Sequence, residues 1–175
     1  MTEIGLSETI DTMLKEYPSN LRFLRKAEYI EPNGLRCKLY SDPNWAYSST
    51  NGENSPVNHF TASESCFSHN QMAYVLLAYM AQYGKLKGVE VQSLDNMNNK
   101  KFNDMMIAEY TIRFSKPFIS SQEFSGEFYV QDQNLRRTKS GLLLFVDNEF
   151  SFENGKAYGK SKGVIKLNET EIFKG

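Results

Sequence analysis

The chain has 175 residues, with 20 Lys and Arg against 21 Asp and Glu and a net charge of −1, a balance that offers a polyanion such as nucleic acid no basic face. The longest apolar run, residues 72–81, stops at Gln82 and falls far short of the ~20 residues of a membrane span. Cys37 and Cys66 stand in no CxxC or metal-ligand spacing and no leader-like segment opens the chain, so the expected setting is the reducing cytoplasm, with no metal and no cofactor. A domain near this length buries roughly 70% of its unfolded surface, so residues 1–175 are expected to form one domain with a sizeable core. Its 12 Phe and 10 Tyr suit wide β-sheets or an apolar ligand cavity.

In chain order, Ser7 reads as an N-cap, and Ile10, Met13, Leu14 and Tyr17 mark one face of a short amphipathic helix over residues 5–17 that Pro18 stops. A second short helical stretch is expected over residues 21–29, so that residues 1–30 form an N-terminal helical segment. Pro32-Asn33-Gly34 reads as a turn, and residues 35–40 alternate as a strand. Residues 41–58 read as a polar loop with turn signals at Asp42-Pro43, Asn51-Gly52 and Ser55-Pro56 and room for a further strand near residues 45–48. Thr61-Ala62-Ser63-Glu64 has the form of a capping box. It opens a central helix over residues 61–83, about 30 Å long at ~1.5 Å per residue, with Gly84 placed as its C-terminal cap. The second half of this helix is apolar on every side, so it should be surrounded by protein.

Residues 91–104 are polar and rich in Asn and Lys, and read as a surface connection. The pattern then switches to period two over residues 105–114, 123–131, 142–153 and 156–167, with Asn154-Gly155 a hairpin signal between the last two. One long buried helix followed by four antiparallel strands over residues 105–167, with one or two strands before it, describes an α+β fold. An antiparallel sheet wraps the central helix, which is the hot-dog arrangement, and that arrangement commonly pairs into homodimers or higher homo-oligomers.

Both histidines, His59 and His69, lie in the stretch that enters the central helix, where polar, titratable side chains are costly unless satisfied or used. Asn58-His59-Phe60 resembles the Gly-His-Phe element of hot-dog β-hydroxyacyl-carrier dehydratases, whose histidine moves protons next to a thioester. Glu64 is the only acid nearby, but the capping box claims it, and one carboxylate cannot serve fully as cap and base. Asn70 shares a helical face with Ser63 and with Cys66 or Phe67; it either closes a hydrogen-bond network or donates to a ligand carbonyl. His69 points away from Asn70 by about 100°, so the two should not line one pocket, and His69 reads as structural or interfacial. Cys66 reads as a small buried hydrophobe.

From His59-Phe60 through Thr61-Ala62-Ser63-Glu64 to Cys66-Phe67-Ser68-His69-Asn70-Gln71-Met72-Ala73-Tyr74, the chain resembles the FcoT-like hot-dog family. Arg113-Phe114-Ser115-Lys116-Pro117 and Phe124-Ser125 resemble further elements of that family, and residues 29–40 a looser early one. The likeness spans most of residues 25–131. It departs at Glu53-Asn54-Ser55-Pro56-Val57-Asn58, where members carry a tyrosine and then a glycine directly before the His-Phe pair; Tyr47 is the candidate replacement for that tyrosine.

The resemblance implies an enzyme acting on fatty acyl or enoyl thioesters of an acyl carrier protein or coenzyme A. The activity it implies is long-chain acyl thioesterase or the addition of glycine to the β-carbon of a (2E)-enoyl thioester. It carries over Tyr29, His59 and Asn70 as site residues, with Phe60, Ser63, Phe67 and Tyr74 as candidate substrate-binding neighbours. Hydrolysis asks for a free carboxylate to activate water, so glycine addition is the favoured expectation, with His59 as base and Asn70 holding the enolate oxygen. Arg36, Lys38 and Arg113 are the candidate cations for a glycine carboxylate. A non-catalytic acyl-binding subunit is the remaining alternative. The basic Arg136-Arg137 pair with Lys139 reads as a solvated turn or a contact for a carrier phosphate.

Overall fold

In the computed structural model, which describes residues 3–42 and 59–173, the chain runs α1 (Glu3–Leu14), β1 (Leu24–Ile30), β2 (Gly34–Leu39), α2 (Ala62–Gln82), α3 (Leu94–Lys100), β3 (Met105–Phe114), β4 (Phe124–Thr138), β5 (Gly141–Phe152) and β6 (Ala157–Leu167). The strand expected near residues 45–48, the Asn51-Gly52 and Ser55-Pro56 turns, Tyr47 and Asn58 lie outside the described residues. The strands form one antiparallel sheet of six in the order β1-β2-β4-β5-β6-β3.

The capping box at the start of α2 is complete. Thr61 Oγ1 accepts from the Glu64 backbone N–H, and Glu64 Oε2 accepts from the Thr61 N–H at 2.7 Å. At the other end Gly84 takes φ +65°, a conformation open to a residue without Cβ. There the Gly84 N–H reaches the Ala81 carbonyl and the Lys85 N–H that of Met80, the two bonds of a Schellman motif. Between these stops α2 is buried nearly all round. The sheet's inward row, including Leu35, Phe128, Leu144 and Phe152, packs it on one side, and α1 and α3 cover the other. Gly126 lets β4 approach closely, since a Cβ there would meet the Met72 sulfur at 3.0 Å. Each such buried aliphatic or aromatic side chain contributes about 1.5–3 kcal/mol.

Three sequence expectations change. Residues 21–29 are not helical: Ser19–Leu21 forms a short 3₁₀ turn and β1 follows. Gln71 enforces this, its Oε1 accepting from the Phe23 and Leu24 N–H groups at 2.9 Å and its Nε2 donating to the Leu21 carbonyl at 2.6 Å. Tertiary bonds to the backbone and pairing with β2 override local helix propensity here. Residues 91–104 are not a plain surface connection: Ser93 caps α3, which buries Leu94 and Met97. After α3, the fully buried Lys101 donates to the Met13 carbonyl, Asn98 and Glu16. β4 continues through Thr138, so Arg136 and Arg137 stand on a strand, where Arg137 forms a bidentate pair with Glu169. The Asn154-Gly155 hairpin forms as expected, with positive φ at Glu153, Asn154 and Gly155.

Candidate active site

A cavity of about 230 Å³ opens between the flank of α2 and the β5-β6-β3 side of the sheet, with Asn70 and Tyr74 in its wall beside His69 and Leu77. Residues 105–107 of β3 close one side and Asn148 of β5 contributes a polar wall. His69 and Asn70 therefore share one cavity, contrary to their 100° separation around the helix. The two side chains meet there, Asn70 Oδ1 lying 3.4 Å from His69 Nδ1.

His69 is buried among the rings of Tyr110, Phe128 and Phe150, all edge-on to it. Its Nε2 lies 2.7 Å from Ser161 Oγ. Burial pushes its pKa down to about 4, against a smaller upward pull from the bond to Asn70, so the ring is neutral at physiological pH. Ser161 also takes a bond from the Asn148 amide nitrogen at 3.3 Å. Alongside, Ser65 Oγ bonds the Tyr110 hydroxyl, whose pKa burial raises. Cys66 is half-buried and desolvation raises its pKa as well, which leaves it a poor nucleophile.

His59 lies elsewhere. It is exposed and, with Thr61, Phe114 and Lys116, lines a second cavity of about 400 Å³ at the start of α2. Phe60 next to it is a core anchor, stacked on Phe118 at 4.6 Å between ring centroids and packed against Phe124 and Phe152. Ser63 is exposed, and Phe67 turns to Phe23 instead of sharing the Asn70 cavity. Glu64 has no free oxygen: Oε2 takes the Thr61 N–H and hydroxyl, and Oε1 takes the Ser120 hydroxyl at 2.6 Å.

Tyr29 sits at the opposite end of α2. Its ring packs on Tyr79, and its hydroxyl meets the Pro32 carbonyl and Lys85 Nζ; the structure does not bring it to Asn70 or His59 within one chain. Arg36 and Lys38 project from the outer face of β2 and are paired, Arg36 with Glu127 at 3.0 Å and Lys38 with Glu123 at 2.7 Å. Arg113 is exposed in an outer-face groove with Tyr129, Glu149 and Tyr158. None of the three expected cations lines the cavity of His59 or Asn70.

Sequence reasoning passed over three residues that line or support these cavities. Asn148 is the one polar member of an inward row that otherwise reads Leu142, Leu144, Val146, Phe150 and Phe152, so a break in the alternation was its signal. Ser161 is its register partner across β5-β6 and carried no comparable mark. Lys116 stood inside the Arg113–Pro117 motif but only the structure sets it beside His59.

The fold is shared with solved structures at low identity. A dehydratase heterocomplex, ApeI:P from Xenorhabdus doucetiae, matches with TM-score 0.56 and 13% identity over 93% of each chain. The E. coli PaaI protein from the phenylacetic acid degradation operon matches with TM-score 0.54 and 8% identity over 96% of this chain and 97% of that one. These show the hot-dog fold alone. The (2E)-enoyl-ACP glycyltransferases of Mycobacterium tuberculosis and Mycobacterium bovis are 31% identical over 110 residues, 62% of this chain, which spans 58% of their length. The FcoT-like thioesterase domain model matches residues 12–168. By that match, which takes in both cavities, the chain belongs to the FcoT-like thioesterase domain family.

Proposed function

We propose that this chain adds glycine to the β-carbon of a (2E)-enoyl thioester held on an acyl carrier protein, at a site shared between two copies. One observation carries the choice over hydrolysis: among the described residues, no carboxylate lines the cavity of Asn70 or that of His59. Glu64, at the start of α2 beside the His59 cavity, has both oxygens committed to the α2 cap and Ser120. Water attack on a thioester wants a base of that kind. Glycine addition by the mycobacterial relatives points the same way.

The chemistry asks for neutral donors instead. As the glycine nitrogen bonds to the β-carbon, the electron pair of the double bond moves toward the carbonyl and charge develops on the thioester oxygen. The amide NH2 of Asn70 stabilises that charge. An α-amino group is mostly protonated near pH 7, so a base is needed; His59 takes that proton, and the α-carbon is protonated to restore the thioester. The carbon–sulfur bond stays intact. Lys116, beside His59, supplies the cation for the glycine carboxylate.

Within one chain these parts are separated, since α2 climbs about 13 Å from Thr61 to Asn70 at ~1.5 Å per residue. β3 flanks both cavities, residues 105–107 at one and Phe114 at the other. It is one of the sheet's two edge strands and exposes Met106, Ile107 and Phe114, an edge that invites pairing. A two-fold antiparallel pairing of β3 about Tyr110 sets Met106 against the second copy's Phe114, bringing the Asn70 cavity of one copy to the His59 cavity of the other.

The test is intact-mass analysis of short (2E)-enoyl thioesters, on a carrier protein and on coenzyme A, incubated with the protein and excess glycine. A product heavier by one glycine, with the thioester intact and the signal lost in His59→Ala, is expected. Free acid released regardless of glycine makes the chain a thioesterase, and an unchanged thioester makes it an acyl-binding subunit.

A further inference from the structure

We propose that His69 is a positioning residue for Asn70, fixing the Asn70 amide so that its NH2 and not its carbonyl oxygen faces the acyl thioester. This rests on the reading of Asn70 as donor to the thioester oxygen. The backbone carbonyl of Val146 has a hydrogen-bonding role that cannot change.

A carbonyl only accepts, so the end of Asn148 that lies 3.0 Å from the Val146 oxygen is its NH2. The second proton of that NH2 reaches Ser161 Oγ at 3.3 Å. Among the described residues Ser161 Oγ meets the Asn148 NH2 and His69 Nε2, and only the second can accept the hydroxyl proton, so Ser161 donates to His69 Nε2, 2.7 Å away. His69 is enclosed by aromatic rings with no carboxylate bonded to it among the described residues, so the ring is neutral, and with Nε2 accepting, its one proton sits on Nδ1. That N–H donates to Asn70 Oδ1 at 3.4 Å. The Asn70 oxygen is thereby occupied, and its NH2, which has no partner among the described residues, is what Asn70 offers to the cavity.

The chain Asn148→Ser161→His69→Asn70 thus runs in one direction, each bond polarising the next. Its cost appears at the far end: Asn148 Oδ1 is buried with no hydrogen-bond partner among the described residues. An unpaired buried acceptor weakens the fold, and turning the Asn148 amide over would reverse the whole chain and present Asn70 as an acceptor, the wrong group for an enolate oxygen.

The protein has two histidines, so in a ¹⁵N-histidine-labelled His59→Ala sample the remaining imidazole is His69. Long-range ¹H–¹⁵N correlation spectra are expected to show the neutral Nδ1–H tautomer; the Nε2–H tautomer or an imidazolium overturns the proposal, whatever any variant does. Kinetics adds a second test. His69→Gln keeps a contact toward Ser161 but loses the Nδ1–H donor, and kcat should fall about 10- to 100-fold with KM for the thioester little changed. His69→Asn puts an amide N–H where Nδ1–H stood and should restore most of kcat. Equal losses in both variants, matching a common fall in melting temperature, overturn the positioning role. Asn70→Ala is run alongside: if its kcat is normal, the donor reading itself fails. A slow Asn70→Ala beside a normal His69→Gln sinks only the role of His69.

Discussion

If His59 and Asn70 act on one thioester from different copies, two inactive variants must rescue each other. Within a single chain His59 and Asn70 line different cavities, with about 13 Å of α2 rise between Thr61 and Asn70 at ~1.5 Å per residue, whereas the carbonyl and β-carbon they serve are two bonds apart, so the proposed site draws them from two copies. His59→Ala and Asn70→Ala homodimers are each expected to lose about 100-fold or more in turnover. Co-expressed with different tags and purified through both, the heterodimer has one site carrying both substitutions and one carrying neither. Its activity should therefore recover to about half that of the unsubstituted dimer. The assay is glycine-dependent mass gain on an enoyl thioester, with sedimentation checking that the species is a dimer. A heterodimer no more active than either homodimer refutes the shared site and requires His59 and Asn70 to act without each other.

Lys116→Ala should raise KM for glycine about 10-fold, the worth of one charge-assisted contact, and leave KM for the thioester unchanged in steady-state kinetics. Glu64→Ala removes three hydrogen bonds from the start of α2. It should cost about 2–4 kcal/mol in urea unfolding, with turnover per folded molecule kept; a fully stable but inactive Glu64→Ala assigns Glu64 to chemistry. Asn70→Asp places a carboxylate in the acid-free cavity and is expected to lose glycine addition and release free acid slowly, read by the same mass assay. His69 makes stability depend on pH with a definite sign. Its folded pKa of about 4 lies below the ordinary 6.5, so the unfolded chain takes up the proton first; stability is complete above 6.5 and lost as pH falls toward 4. The loss should reach about 2 kcal/mol by pH 5, and urea midpoints of His69→Asn should be flatter over that interval.

What the sequence made legible was what local physics decides. The Thr61–Glu64 box, the Gly84 stop, the long strands and the Asn154-Gly155 hairpin are written in residue types that favour one backbone conformation, and they suffice for a sheet around a helix. β1 was misread because a side chain 47 residues away, Gln71, decides where the Leu24 N–H goes. α3 was missed because its buried lysine neighbour looks solvated until Glu16 and Asn98 are in place. Helical periodicity put Asn70 on a face of α2, where it now lines a cavity, but the azimuth that separated it from His69 did not allow for neighbouring side chains reaching one cavity and each other. The expected cations lie apart from both cavities for a simpler reason: alternation tells which face of a strand a residue takes, and Arg36 and Lys38 take the outer one.

A catalyst that joins an amine to an enoyl thioester has a selectivity problem, because water is always the more abundant nucleophile and the thioester carbonyl is always open to it. Activating the amine and not the water is then a matter of which groups are kept away from the carbonyl. Here the acid closest to the start of α2 is consumed by the helix cap, a position where it stabilises the fold. The histidine beside Asn70 is held neutral by burial, and its proposed role is to orient an amide. The remaining histidine stands one cavity away, next to a lysine suited to an amino acid's carboxylate. On the proposed reading, such a division gives the carbonyl donors without a base and the amine a base without a carbonyl, and a pairing of two copies along β3 would set the β-carbon between them.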